Sequence, residues 1–199
     1  MSTSRPVRVV AVSGSLTDPS RTTALVEAIV ASLGRALPVE AHIIRLNSLG
    51  PHLAGALTRK QLPPEAEAEL ERIETADILV VATPVYRASF TGLFKYLFDF
   101  VDQYALVDTP VLLAATGGSE RHALIIEHQL RPLFGFFQSL ALPVGVYAHD
   151  SDFTNYEISN EQLTERIEKA VARALPLVRS SLAERELIER ALAGEEPTD

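Results

Sequence analysis

The sequence contains no cysteine. Disulfides and thiol nucleophiles are therefore excluded, and a reducing compartment is the natural setting. No apolar run approaches the roughly 18 residues that a membrane-spanning helix requires. The N-terminal stretch MSTSRPVRVV has no apolar segment of signal-peptide form ahead of the first strand-like run. A cytoplasmic protein with no membrane partner is expected. Basic charge is also short: 18 Lys and Arg against 26 Asp and Glu leave a formal net charge of −8. Nonspecific nucleic-acid binding needs a basic face, so no nucleic-acid partner is expected. An anionic ligand would have to be held by local groups against the overall field. His42, His52, His122, His128 and His149 are scattered along the chain. No nucleophile–base pair and no metal-ligand cluster stands out among them, so a metal site is not expected.

What is present is a regular alternation. The 199 residues suit one domain, long enough to bury roughly 70% of the unfolded chain's surface. Strand-like runs occur at Val7–Ser13, Val39–Leu46, Asp77–Thr83, Pro110–Thr116 and Pro143–His149. The first is β-branched and nearly continuous, as expected of a strand covered on both faces. Between them lie helical patterns. TTALVEAIVASLGRAL carries Leu25, Ile29 and Leu33 at i, i+4 and i+8. EAEAELERIETA follows Pro63 and Pro64, which mark a helix start. GLFKYLFDFVDQYALV and HALIIEHQLRPLFGFFQSL are strongly apolar helices, and NEQLTERIEKAVARALPLV closes the series, with Pro176 favouring a kink. NSLGPHLAGALTRKQLPP reads as an irregular connection.

Five β-α repeats with such connections demand right-handed parallel crossovers. The expected fold is an α/β three-layer sandwich with a five-stranded parallel sheet of flavodoxin-like order 2-1-3-4-5. Residues 1–180 form this domain. Residues 181–199 are a charged, partly helical tail, read as a solvated end.

In an open α/β sheet, ligands bind beyond the carboxyl ends of the strands, so three loops matter. After strand one comes SGSLTDPSRTT, with hydroxyls at Ser13, Ser15, Ser20, Thr22 and Thr23, a turn-permitting Gly14 and the charged fork of Arg21. The helix that follows starts near Thr22, and its free N–H groups with these hydroxyls make an anion site. Neither GxxxxGK[ST] nor GxGxxG is present, which excludes a nucleotide P-loop and a dinucleotide fingerprint. A single phosphate fits better; an ordinary Ser/Thr helix cap is the alternative. After strand three comes TPVYRASFTG, where Tyr86 can pack on a planar ring and Arg87 can meet an anion, or where Tyr86 and Phe90 cover the sheet end. After strand four comes ATGGSERH, whose Gly117 and Gly118 let the backbone approach a ligand, or simply turn it. Together the three loops describe a pocket for a planar ring bearing one phosphate, and FMN is the candidate.

The motifs SGSLTDPSRT, TPVYRASFTGLFKYLFD and ATGGSERH, in that order on those loops, resemble the NAD(P)H-dependent FMN reductase family of flavodoxin-like fold. The likeness runs from about Val7 to Leu177. Its most specific part is Thr-Pro, an aromatic two residues on, then Ser, Gly and Leu-Lys-x-x-x-Asp. GVYAHDSDF and HALIIEHQLRPL are most similar to the reductases that supply reduced flavin to alkanesulfonate and methanesulfonate monooxygenases. The resemblance implies that Ser13, Ser15, Ser20, Arg21, Thr22 and Thr23 cradle the FMN phosphate. It places Pro84, Val85, Tyr86 and Arg87 along the ribityl chain and ring, with Ser89 adding a hydrogen bond. Gly117, Gly118 and Ser119 would lie at the ring's polar edge, and Thr116 before them also belongs to the implied cofactor-binding set. Arg87 departs from the pattern, since many relatives have Asn there. In the similar subgroup the position of His128 lies in an intersubunit helix, is often Tyr, and is associated with a one-residue π-bulge; a core or interface histidine is the other reading.

The absence of a catalytic dyad fits hydride transfer, in which the flavin carries the chemistry and the protein supplies binding and orientation. FMN is then substrate as well as cofactor, NADH or NADPH is the donor, and FMNH2 leaves for a partner monooxygenase that uses it in sulfonate desulfonation. The two strongly apolar helices exceed one buried face, which points to a homodimer or homotetramer, or to cover by the tail. Two rivals share the fold: an FMN-bound quinone or azo reductase, and an electron carrier with an acidic docking face. Arg87 and Arg121 suit an anionic second substrate and weigh against the carrier. A third rival is a non-flavin phosphoester-binding protein.

Overall fold

Seven residues from Val7 to Ser13 form the strand β1, which is followed by α1 (Arg21–Ala36) and β2 (Val39–Arg45). The structure, a computed structural model, describes residues 5–193. The chain continues through α2 (Leu46–Leu53), α3 (Pro64–Glu74), β3 (Ile78–Pro84), α4 (Gly92–Phe98) and β4 (Pro110–Gly117). A π turn (Ile126–Leu130) leads into α5 (Arg131–Phe136), and β5 (Leu140–Ala141) and β6 (Val146–His149) follow. A small hairpin, β7 (Phe153–Thr154) and β8 (Glu157–Ile158), precedes α6 (Glu161–Ala193).

The sheet has the expected order, β2-β1-β3-β4-β5, with β6 also pairing β4, and these pairings are parallel. Alternate residues of each strand feed opposite layers. Val10, Val12, Leu79, Val81, Val111 and Leu113 pack with α2, α3, α4 and α5. Val9, Ala11, Ile78, Val80, Leu112 and Ala114 pack with α1 and α6. β3 and β4 are covered on both faces and β1 nearly so, which is why these strands read as nearly continuous apolar runs, whereas the edge strand β2 keeps Glu40, Ala41 and Arg45 exposed.

The fifth strand is divided. β5 pairs with Pro110–Val111 and β6 with Ala114–Gly117. Pro143 in the gap has no N–H for the ladder, and a Cβ on Gly145 would lie 2.7 Å from Ile126 Cγ2. The region expected to be irregular after β2 contains α2. Leu46, Leu49, Gly50 and Leu53 are its buried face, and this packing outweighs the weak propensity of Gly50 and Pro51. Conversely, the helix expected to run through Val107 ends at Phe98. The Asp102 carboxylate accepts the Tyr104 N–H at 2.9 Å, a local bond that competes with helical pairing, and Glu74 takes the Asp102 N–H at 2.8 Å.

The second apolar helix is also broken, into a 3₁₀ turn (Glu120–His122), the π turn and α5. Pro132 offers no N–H to the His128 carbonyl, and the Arg131 N–H reaches back five residues to the Ile126 carbonyl instead. His128 therefore sits inside the π turn and is exposed. The apolar side chains of these segments largely serve the chain's own core: Phe98, Phe134 and Phe137 form a ring cluster with centroids 5.0–6.3 Å apart. α6 continues through Pro176 and through most of the expected tail, and residues 194–199 lie outside the described residues. Arg185 fastens this extension by bonds to the Ala76 carbonyl (3.1 Å) and Thr109 Oγ1 (2.5 Å).

Candidate active site

The three loops are laced together before any ligand is considered. Gly14 N–H bonds the Ala82 carbonyl at 2.7 Å, joining loop one to β3. A Cβ on Gly14 would lie 2.9 Å from both that carbonyl and Phe94, so glycine is required by close approach. Thr91, the N-cap of α4, donates its hydroxyl to the Gly14 carbonyl at 3.3 Å. Val85 N–H bonds the Thr116 carbonyl at 2.8 Å, joining the loop after β3 to the end of β4. Thr22 and Thr116, both buried, share a hydroxyl bond of 2.7 Å.

Ser20 caps α1, its side chain accepting the Thr23 N–H at 3.3 Å. The N–H groups of Arg21 and Thr22, ahead of the first intrahelical bonds, remain to meet a ligand. The other hydroxyls are used unequally. Ser13 is fully buried and bonds Thr23 Oγ1 at 2.8 Å. Ser15 Oγ donates to the Thr17 carbonyl and accepts its N–H.

A cleft of about 220 Å³ opens at the ends of β1, β3 and β4. Of the residues expected from sequence, it gathers Ser15, Ser20, Arg21, Thr22, Pro84, Val85, Tyr86, Thr116, Gly117 and Gly118. Ser13, Thr23, Arg87, Ser89 and Ser119 are not among its lining. Ser13 and Thr23 support the loop from behind. Arg87 and Ala88 form the tip of a two-residue turn, at φ +50° and +67°, between Tyr86 and Ser89. Asn adopts that left-handed conformation more readily than Arg, which gives the departure at Arg87 a backbone cost. Ser89 Oγ donates to Gln129 Oε1 at 3.2 Å, and Ser119 caps the 3₁₀ turn that follows β4.

Four lining residues escaped the sequence reading: Thr17, Pro19, Asp150 and Tyr156. Asp150 follows β6, and Tyr156 stands at the tip of the β7–β8 hairpin, where Asn155 and Tyr156 have φ of +50° and +67°. For Tyr156 the available signal was Asn155, a turn-forming residue that tolerates left-handed backbone.

Gly117 is held to glycine by close approach, and Gly118 lies beside a movable carboxylate. A Cβ on Gly117 would lie 2.6 Å from Tyr147 Oη, and one on Gly118 would lie 3.2 Å from Asp150 Oδ2. Tyr147 donates its hydroxyl to the Ser119 carbonyl at 2.6 Å. Burial pushes its phenol upward; the Ser119 bond opposes this and the nearby carboxylates Asp150, Asp152 and Glu120 add to it, so Tyr147 stays protonated as a donor. Beside it, His122 Nδ1 is buried with no hydrogen-bond partner among the described residues.

The other histidines serve elsewhere. His42 pairs with Glu69 at 2.7 Å, and His149 Nδ1 bonds Ser151 Oγ at 2.8 Å. His52 lines a second cleft of about 260 Å³ against β2 and α2, outside the three loops.

The donor set of the first cleft fits FMN: a capped helix start with hydroxyls and one guanidinium for a phosphate, an exposed tyrosine and a valine for a flat ring, and two glycines where backbone meets its edge. The family model for NADPH-dependent FMN reductase matches residues 7–154. The chain belongs to the NADPH-dependent FMN reductase family.

Within the FMN reductases, the chain is 58% identical over 174 residues to the NADH-dependent FMN reductase SfnF of Pseudomonas fluorescens, covering 87% of this chain and 93% of that one. It is 55% identical to an FMN reductase (NADPH) of Pseudomonas aeruginosa, covering 86% and 92%. Among solved structures, an oxidoreductase from Corynebacterium diphtheriae superposes with a TM-score of 0.77 at 34% identity, covering 89% of this chain and 99% of that one.

Proposed function

We propose that this FMN reductase uses NADH or NADPH to reduce FMN and releases FMNH2 to a flavin-dependent monooxygenase acting on sulfonates. The observation that carries the reading is the meeting of the α1 start, the Tyr86 turn and the Gly117–Gly118 turn in one cleft. FMN, when bound, supplies the hydride acceptor.

Ser15, Ser20, Arg21 and the N–H groups of Arg21 and Thr22 hold the phosphate, using backbone dipole and guanidinium together. Ser13 and Thr23 brace that loop. Pro84, Val85 and Tyr86 lie along the ribityl chain and ring, with Arg87 and Ser89 at the margin. The backbone of Gly117, Gly118 and Ser119 meets the ring's polar edge, and Thr116 locks this strand end to Thr22. Fixed donors near the ring stabilise negative charge as it develops there.

The reading includes a homodimer or homotetramer in the cytoplasm. Leu124 and Phe136, 60% and 64% exposed on either side of the π turn, supply apolar contact surface. Among the described residues no helix is long and apolar enough to cross a membrane.

The test is oxidation of NADH and of NADPH by purified protein, with and without free FMN. Saturable dependence on added FMN supports the reductase. Oxidation by already yellow protein without added flavin would replace it with a quinone or azo reductase. FMN binding without oxidation of either nucleotide would leave an electron carrier.

A further inference from the structure

Among the described residues, the charged ones lining the cleft are one cation and one anion, Arg21 and Asp150. Arg21 Nη1 lies 3.2 Å from Asp150 Oδ1. On another side the guanidinium lies over the Tyr156 ring, 5.7 Å from its centre. The group best suited to a phosphate is therefore already engaged by a carboxylate of the same chain.

Asp150 is not held there by the scaffold's needs. Two residues on, Asp152 is buried and receives the His149 N–H, Asn160 Nδ2 and Arg166 at 2.5–2.9 Å. That carboxylate anchors the turn after β6 to α6. Asp150, with its side chain 46% exposed, faces the cleft and stands 3.2 Å from where a Cβ on Gly118 would be.

We propose that Asp150 is a built-in counter-ion for Arg21 that a bound phosphate must displace, and that it holds flavin affinity low enough for the reduced product to leave. This rests on reading the cleft as the FMN site. A guanidinium presents a planar fork suited to one carboxylate or one phosphate. A phosphate arriving at the start of α1 either takes the fork from Asp150 or sits beside it as a like charge. Both raise the free energy of the bound anion and leave that of the neutral ring unchanged. Tyr156 steadies the guanidinium from another side, so Arg21 stays in place when Asp150 turns away. An enzyme whose flavin is a product needs such a brake on binding; one that keeps its flavin does not.

The experiment compares dissociation constants for FMN and for riboflavin, which lacks the phosphate, by quenching of flavin fluorescence. Wild type, Asp150→Asn, Arg21→Ala and the double variant are measured at low and high salt. Asp150→Asn is expected to bind FMN about fivefold tighter, with riboflavin unchanged and the gain shrinking as salt rises. FMN release, followed by stopped flow, slows by a similar factor. The gain disappears in the Arg21→Ala background, because the effect passes through Arg21. Unchanged or weaker FMN binding by Asp150→Asn would overturn the proposal and make Asp150 a neutral or flavin-holding group. An equal gain for riboflavin would also overturn it, by placing the effect at the ring. Wild-type protein with no affinity for either flavin would overturn the reading of the cleft, and the proposal with it.

Discussion

The hydroxyls of Thr22 and Thr116 lie 2.7 Å apart although the residues are 94 positions apart in sequence, and they tie the start of α1 to the end of β4 beneath the cleft. Both are buried, so each hydroxyl depends on the other. Thr22→Val leaves Thr116 without that partner and should destabilise the protein by about 1–3 kcal/mol. Thr22→Val with Thr116→Val removes both polar groups and should be less destabilised than the sum of the singles. Urea unfolding of the three variants checks this. Strict additivity would show that the bond does not couple the loops.

Asp77 joins the N-terminal segment to the turn before β3, and its side chain is 2% exposed. Burial by itself pushes the carboxyl up, but hydrogen bonds from Arg5, from the Arg8 side chain and from the Arg8 N–H outweigh it and hold Asp77 well below the usual carboxylate range. A depressed carboxylate adds stability that is full above the unfolded-chain value of about 3.9 and is lost as pH falls below it. Asp77→Asn should cost about 1–3 kcal/mol at pH 7 and flatten the acid limb of the stability curve. Unfolding free energies measured from pH 7 downward test it; an acid limb identical to wild type would remove Asp77 as its source.

Gly117→Ala places a methyl 2.6 Å from Tyr147 Oη. Overpacking of this kind costs about 1–3 kcal/mol, and a displaced glycine turn should weaken FMN binding about tenfold or more. Because the nearest atom is the hydroxyl, Tyr147→Phe in the Gly117→Ala background should recover part of the loss, even though it gives up the bond to the Ser119 carbonyl. Thermal melts and flavin titrations report the two effects. Failure of the double variant to improve on Gly117→Ala would place the clash elsewhere.

Arg185 is where the long α6 touches the body again, through the Ala76 carbonyl and Thr109 Oγ1. Arg185→Ala should cost about 1–2 kcal/mol and speed amide hydrogen exchange in the helix beyond it, leaving α1 protected. Equal acceleration in α1 would mean global rather than local loosening.

The layers and the strand order were readable because β-branched runs and helical stripes report burial directly. The boundaries that misled were set elsewhere. α2 forms despite Gly50 and Pro51 because Leu46, Leu49 and Leu53 have a core to enter. The second apolar helix breaks because Pro132 cannot answer the His128 carbonyl and the Arg131 N–H bonds the Ile126 carbonyl five residues back. The apolar faces taken as surplus are largely spent on a cluster of Phe98, Phe134 and Phe137 that is invisible before folding.

By itself the sequence determined that hydroxyls, an arginine, an aromatic and two glycines stand at the ends of parallel strands, because strand and helix periodicity and loop chemistry are local properties. Only the tertiary structure decided which of them line the cleft. Ser13 and Thr23 turn inward to bond each other, Thr22 finds Thr116, and Arg21 meets Asp150 and Tyr156 from segments more than a hundred residues away. A polar side chain takes whichever partner the fold brings within hydrogen-bond or ion-pair reach, and that partner has no signature in the neighbouring sequence.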